Sequence, residues 1–510
     1  MIISLSVLVI TIIVSGTYAL YKTQLSKNIG VNTTTHGLAY YINYVKGTDI
    51  TAATLNPSTS YEGGASSDIE FWKKDDSYDI YGKIELTVNT IGTNLSNSPA
   101  LKYAVVNNGN VLKEGSLKGT TSGSKVTILK NLYLEQTKQI YTVYVWLDNS
   151  EELGNISNES LSISVDCTAS LQKEPTAADT IISLYTSAAK VTATNNSITY
   201  NTAPSVSLMN DRLGGTTTDL DGGNIRYYGA NPNNYIYFNC SDYSNQTSST
   251  CETWRIIGVF DGKLKLIKSE SIGAYSWDNK DTSTGAENDT GKNDWTTARL
   301  MKLLNPSNYY KVDSNDNNLG QSLYYNSASG KCYSGQNNAT VDCDFTSTGI
   351  KNAETRNMIA ETTYNLGGWN SNSVYSNQIY EYERGTTVYS GRPTTWKGKI
   401  ALAYPSDYGY AADLNQCKDK TLYDYDNRTC TSNNWMKAII TNNGSNTGWL
   451  LTPSSGYSNS AGIVFSGGFV SRDSIAYVAY GAVPVLSLSS ELGIESGGDG
   501  SSSKPYKLSA

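Results

Sequence analysis

Cysteine carries the sharpest chemistry in this chain. Six of its seven cysteines fall in sequence-local pairs, Cys240 with Cys251, Cys332 with Cys343 and Cys417 with Cys430. Each pair spans a polar, turn-rich stretch, and none is a Cys-x-x-Cys. The one histidine, His36, is distant in sequence, so a zinc site lacks its usual ligand set. Loop-closing disulfides fit this spacing better, at about 3 kcal/mol each by chain-entropy arithmetic. They place the C-terminal half in an oxidising compartment. Six cysteines allow fifteen pairings, of which the local set is the expected one. Cys167 is left over, as a buried free thiol.

Other catalytic constellations are thin. A Ser or Cys triad needs histidine, and none lies C-terminal to His36. No Gly-x-Ser-x-Gly elbow or phosphate-binding loop occurs. Glu252, Glu270, Asp278 and Asp413 could serve a two-carboxylate hydrolase, but nothing in the sequence pairs them, and solvated loop charges are the commoner case. Asp313, Asn315 and Asn317 match the first, third and fifth positions of a calcium loop. Asn318 replaces its glycine and Tyr324 its closing glutamate, so that motif fails. The acidic stretch 278–294 reads as a solvated loop. No metal, no cofactor and no enzymatic activity are expected, and a carboxylate-dependent hydrolase is a remote alternative.

A different chemistry is suggested by residues 448–489. Two apolar runs, 449–451 and 483–488, enclose a span of Ser, Tyr, Gly and Asn. Tyr457, Ser458, Asn459, Phe469, Ser471, Arg472, Asp473, Tyr477 and Tyr480 lie in it. Tyrosine offers a large contact area at low entropic cost, and Ser and Asn adapt their hydrogen bonds, as in antibody loops. These nine are the candidate ligand-binding residues. They would equally serve as the outward residues of an ordinary hairpin in a tyrosine-rich chain.

The elements that must position them follow from the rest of the sequence. At 510 residues the chain exceeds one ordinary core, and a multi-domain protein is expected. Its 39 Tyr against 6 Phe, with 17% charged residues, imply a surface of uncharged polar groups. A net charge of −7 and the lack of any basic run argue against nucleic acid as a partner. Residues 1–21 are apolar enough for a signal peptide or a membrane anchor, in either case an N-terminal helix. Residues 22–172 alternate as strands, with Ile84, Leu86 and Val88 on one face and Leu161, Ile163 and Val165 on another. Asn108-Gly109 and Ser122-Gly123 supply turns. An all-β sandwich, Ig-like or jelly-roll-like, is expected there.

Residues 173–204 read as an interdomain linker, first helical and then flexible. In TAADTIISLYTSAAK, Thr176 is the expected N-cap with Asp179 three residues on, and Ile181, Ile182, Tyr185 and Ala189 lie at helical spacing. An α+β domain is expected over 205–489. Asp261-Gly262 should turn a tight hairpin between 254–260 and 263–268, and Gly467-Gly468 another. Helices are expected at 295–304, capped by Asn293 or Asp294, at 350–366 and at 433–441. Residues 490–510 read as a mobile Gly/Ser-rich tail.

Two resemblances extend this reading. GTYALY and YTVYVWLDN, followed by a serine-rich strand, resemble secreted sandwich subunits of Gram-positive matrix fibres and camelysin-type surface proteins. That likeness covers about 150 residues through short motifs, and implies a structural or spacer role. CETWRIIGVFDGKLKLIKSESIG, NDWTTARLMKLLN, TGWLLTPSSGYSNSAGIVFSGGFV and GAVPVLSL, in that order, resemble a surface domain of unknown function common in gut Firmicutes. That family is associated with the C-type-lectin-like fold, near the formylglycine-generating-enzyme branch. Thr452 stands where the family often has Ser after an Arg, and residues 482–484 lack its customary Arg before proline, so no role of that Arg is inherited. A formylglycine-type oxidase would need a reactive cysteine pair, and 448–489 contains no cysteine.

Together these imply an extracellular, cell-surface or membrane-anchored adhesin-like protein. A C-type-lectin-like head would bind a protein or glycan on another surface, and the N-terminal segment would contact the membrane if uncleaved. The display span also has the place and composition of a sequence-diversified segment. The alternative is a fibre, matrix or pilus-like subunit that self-assembles.

Overall fold

The computed structural model describes residues 23–25, 41–51, 55–149, 151, 153, 156, 159–213, 221–278, 290–310, 320–333, 340–371 and 373–509. The apolar run at 1–21, His36 and the calcium-like residues Asp313, Asn315, Asn317 and Asn318 lie outside them. The chain divides into two units, Met1–Glu174 and Pro175–Ala510. Strands predominate in both, and among the described residues no helix is long and apolar enough to cross a membrane.

The first unit is built of two sheets. One runs Thr23–Leu25, Leu161–Ser170, Tyr81–Ile91, Lys125–Tyr133, with Ile50–Thr51 also on Leu161–Ser170. The other runs Ile42–Val45, Ala65–Lys73, Ile140–Asp148, Leu101–Asn107, Asn110–Ser116, with Pro57–Ser58 parallel to Ile140–Asp148. Period-two patterning explains the arrangement. Ile84, Leu86 and Val88 from the first sheet and Ile69, Phe71 and Val143 from the second are fully buried in one shared core. This is a sandwich-like organisation. Asn108 and Gly109 both take positive φ, 49° and 77°, which the twist of a two-residue hairpin requires. Cys167 is buried and unbridged, and burial pushes its thiol pKa up.

In the second unit a nine-stranded sheet takes the order Val191–Asn195, Ile198–Ala203, Leu208–Asn210, Ile225–Tyr227, Glu252–Phe260, Lys263–Lys268, Val485–Ser487, Ile400–Ala401, with Tyr235–Phe238 also on Glu252–Phe260. Asp261 and Gly262 close the central hairpin at φ 49° and 70°. A five-stranded sheet runs Ala274–Ser276, Ala479–Gly481, Gly448–Pro453, Ser460–Val464, Val470–Ile475. All three disulfides form between the local cysteine pairs.

Several expected boundaries differ. Residues 173–204 are no free connector. The helix Ala177–Ser187 carries the expected capping box, with Thr176 Oγ1 accepting from Asp179 N at 3.1 Å. Its Ala177, Ala178, Ile181 and Tyr185 are buried in the second unit's core, and 191–203 is a hairpin extending that unit's sheet. Nor is the tail loose. Leu492, Tyr506 and Leu508 are buried, and Gly493–Ile494 pairs with Leu508–Ser509. Three apolar side chains among the glycines and serines suffice to dock it. The helix expected at 350–366 is only Ala353–Met358. Thr362–Asn365, with its β-branched and aromatic residues, is instead a strand against Thr395–Gly398. The other two helices are shorter than expected, Arg299–Leu304 and Met436–Thr441.

Candidate functional site

The display span hangs from one central strand. Every residue of Gly448–Pro453 is buried. The Trp449 indole donates to the Tyr275 carbonyl at 2.8 Å, and Trp277 donates back to the Leu450 carbonyl at 3.2 Å. Trp277 lies 5.1 Å from Trp295, which lies 6.2 Å from Trp396. This aromatic stack fixes the strand, and the hairpin of Ser460–Val464 with Val470–Ile475 pairs along its edge.

The loop before that hairpin is fastened from outside. Asn293, only 1% exposed, donates from Nδ2 to the carbonyls of Ser454, Tyr457 and Ser460 at 2.8, 2.7 and 3.0 Å. Its Oδ1 accepts from Arg392 Nε at 3.1 Å, and Arg392 Nη2 donates to the Ser458 carbonyl at 3.0 Å. Asn293 was expected as a helix cap; it is the hub of this loop. Asp294 does not cap the helix either: that helix begins at Arg299 behind Ala298 with no side-chain cap, and Asp294 Oδ1 only accepts from Thr296 N at 3.0 Å in the preceding turn.

Seven of the nine candidate residues fall in three places. Tyr457, Ser458, Asn459 and Arg472 gather at the open end of the hairpin. Tyr457 is 51% exposed, with the Arg472 guanidinium 5.5 Å from its ring centre. Asn459 Nδ2 donates to Thr290 Oγ1 at 2.6 Å. Phe469 sits at the turn end, stacked on Phe465 at 4.6 Å and edge-on to exposed Tyr423 at 5.3 Å. The strand between these ends is five residues long, about 16 Å. Tyr477 and Tyr480 belong to the third place, the return toward the core. Both are half-buried, the Tyr477 carbonyl accepting from Ser276 Oγ at 2.7 Å and the Tyr480 ring 5.0 Å from Trp449. Ser471 is buried, and the Asp473 side chain lies outside the described residues.

Three of the four carboxylates named above have separate local partners. Glu252 pairs with Lys268 at 2.5 Å, Asp278 accepts from Lys292 N at 2.9 Å and Asp413 from Asn415 N at 3.0 Å, while Glu270 is exposed. Among the described residues no group of three His, Cys, Asp or Glu could hold a metal ion. A cleft of about 340 Å³ lies beside the helix Ala177–Ser187, where Ile182, Tyr185, Lys190 and Asp221 line it; none of the nine display residues does.

A buried charge network escaped the sequence reading. Arg226, 1% exposed, donates to Asp211 at 2.5 Å and to Asp407 Oδ1 at 3.1 Å, between the rings of Phe260 and Tyr410. Lys265 Nζ contacts Asp407 Oδ2, which also accepts from Tyr404 N at 3.0 Å. Burial alone would raise the Asp407 pKa, but Lys265 and Arg226 hold it below the usual range. Burial lowers that of Lys265, with Asp407 working against the shift. Glu383 is fully buried and accepts from Ser406 N and Oγ at 2.9 and 2.6 Å; burial pushes its carboxyl up to about 7, against the nearby Arg384. The only local signal is a charge set between Leu264 and Leu266 in a strand buried on both faces.

No family model and no curated protein matches the chain. Solved structures give distant likenesses. The receptor binding domain of botulinum neurotoxin mosaic serotype C/D is 12% identical, with a TM-score of 0.15 over 52% of this chain and 75% of that one. An HCR/D F1240A mutant is 12% identical, with a TM-score of 0.15 over 51% and 76%. At such scores neither fold nor function is carried across.

Proposed function

We propose that this is an exported, adhesin-like binding protein. Its second unit, read as a C-type-lectin-like head, holds a protein or glycan on another surface by contact alone. Its first unit serves as a spacer, attached through the 1–21 segment where that segment is retained. The observation that supports this is the way Tyr457 is held. Its loop is fixed by backbone carbonyls on Asn293 and Arg392, so the exposed ring is presented without being needed for the fold, with the half-buried Arg472 guanidinium beside it. The three disulfides support export. The same hold would suit a segment diversified between strains. A near-copy of the 448–488 coding stretch, differing mainly at adenines beside a reverse transcriptase, would establish that; identical residues in sister strains would exclude it.

The test is a screen of the full chain against glycan arrays and against host and bacterial surface proteins, with Tyr457→Ala beside the parent. The variant should keep the parent's unfolding profile and lose binding. Equal binding by both, or none by the parent, overturns the reading.

One observation favours the fibre-subunit alternative. Asn110–Ser116 is an edge strand with exposed Val111 and Leu112, open to further pairing. High-mass, denaturant-resistant material from the purified chain would support that alternative instead.

A further inference from the structure

We infer that Lys265 and Asp407 are joined by an amide bond in the mature protein, a covalent tie between the central sheet and the helix Pro405–Tyr410. Lys265 Nζ lies against Asp407 Oδ2, the side chains being 7% and 1% exposed. Among the described ion pairs this is the one between a lysine and a carboxylate in which both side chains are so enclosed. Two other buried lysines face more open partners, Glu252 at 16% for Lys268 and Asp76 at 70% for Lys73.

The surroundings suit condensation. The Tyr404 and Phe260 rings stand 4.5 and 5.0 Å from Nζ, so water is excluded on that side. Burial lowers the Lys265 pKa and by itself raises that of Asp407, so enclosure favours passing the proton from amine to carboxylate, against the attraction of Lys265 and Arg226 for the charged carboxylate. Arg226 Nη1, 3.1 Å from Asp407 Oδ1, is placed to stabilise the negative oxygen that develops when the carboxyl carbon is attacked. Glu383, bonded to Ser406 next in sequence to Asp407, holds a proton near neutrality within the same enclosure.

The step balances without a co-reactant. The ammonium gives one proton to Oδ2, and the amine attacks Cγ to form the C–N bond. A second proton passes from nitrogen to the departing oxygen, the C–O bond breaks and one water leaves. Nothing is oxidised or reduced. Two charges whose desolvation opposes folding become one neutral amide, and holding the groups in contact supplies the high effective concentration that the reaction needs.

The experiment is tryptic mapping of the reduced, alkylated full-length protein by tandem mass spectrometry, with Lys265→Met in parallel. The expected result is a branched species joining residues 264–268 to 400–418, lighter than the two peptides by one water and absent from Lys265→Met. Unlinked peptides in full yield from the parent overturn the inference. So does a water loss that maps to a succinimide at an Asp-Gly step such as Asp261-Gly262. The parent's digest decides the matter even where Lys265→Met does not fold.

Discussion

Asn293 holds Tyr457 by its backbone and leaves its side chain to solvent: the amide nitrogen is 2.7 Å from the Tyr457 carbonyl, while the ring is 51% exposed. The two residues should therefore respond oppositely to truncation. Asn293→Ala strands several buried carbonyls and should cost about 2–4 kcal/mol. Tyr457→Ala should stay within about 0.5 kcal/mol of the parent. Urea unfolding of the whole protein measures both, and equal losses would refute this division of labour.

The disulfides should be found as three local links by non-reducing peptide mapping, Cys240–Cys251, Cys332–Cys343 and Cys417–Cys430. Cys167, enclosed in the first unit's core, should resist alkylation until that unit unfolds. Rapid labelling of native protein at Cys167 would show that its strand opens readily.

Trp254 and Trp449 are 0% and 1% exposed. Replacing either with Ala should cost about 3–5 kcal/mol, the range for large buried aromatics. Trp449→Ala also removes a donor from the Tyr275 carbonyl and the ring against Tyr480, so it should disturb ligand binding where Trp254→Ala does not. Unchanged denaturation midpoints for both would mean that neither ring is core.

Glu383 gives the second unit a pH signature. Its carboxyl is raised from 4.5 to about 7 by burial, with Arg384 and Ser406 opposing the shift. An acid with a raised folded-state pKa binds its extra proton only when folded, so stability is gained as pH falls through 7 and lost as pH rises from 4.5. The span corresponds to about 3 kcal/mol. Urea midpoints measured across this window should slope downward with pH in the parent and flatten in Glu383→Gln. A parallel slope in the variant would assign the effect elsewhere.

What was legible in the sequence was local. Asp261-Gly262, Thr176 with Asp179, and the alternation of Ile84, Leu86 and Val88 each carry their own geometric reason. What was hidden depends on distant partners. Lys265 meets Asp407 across 142 residues, and Asn293 meets the Ser454 carbonyl across 161. An isolated Lys between leucines reads as an ordinary strand position, and an Asn before a helical run reads as a cap. Thr362–Asn365 likewise becomes a strand only because Thr395–Gly398 lies beside it. The candidate site was legible as a span, whereas its division into an open-end cluster, a turn-end aromatic cluster and a core-facing pair was not.

The second unit's first helix lies beside its last strand pair: Ala177 N donates to the Leu492 carbonyl at 2.7 Å, and Gly493–Ile494 pairs with Leu508–Ser509. A fold whose entry and exit meet is a portable cassette, which recombination can splice between unrelated neighbours without threading a chain through its interior. It also suits being reopened elsewhere, by linking Pro175 to Ser509 and cutting a surface loop. Trimming it to 205–489 would instead remove the helix Ala177–Ser187 and the residues that close the seam.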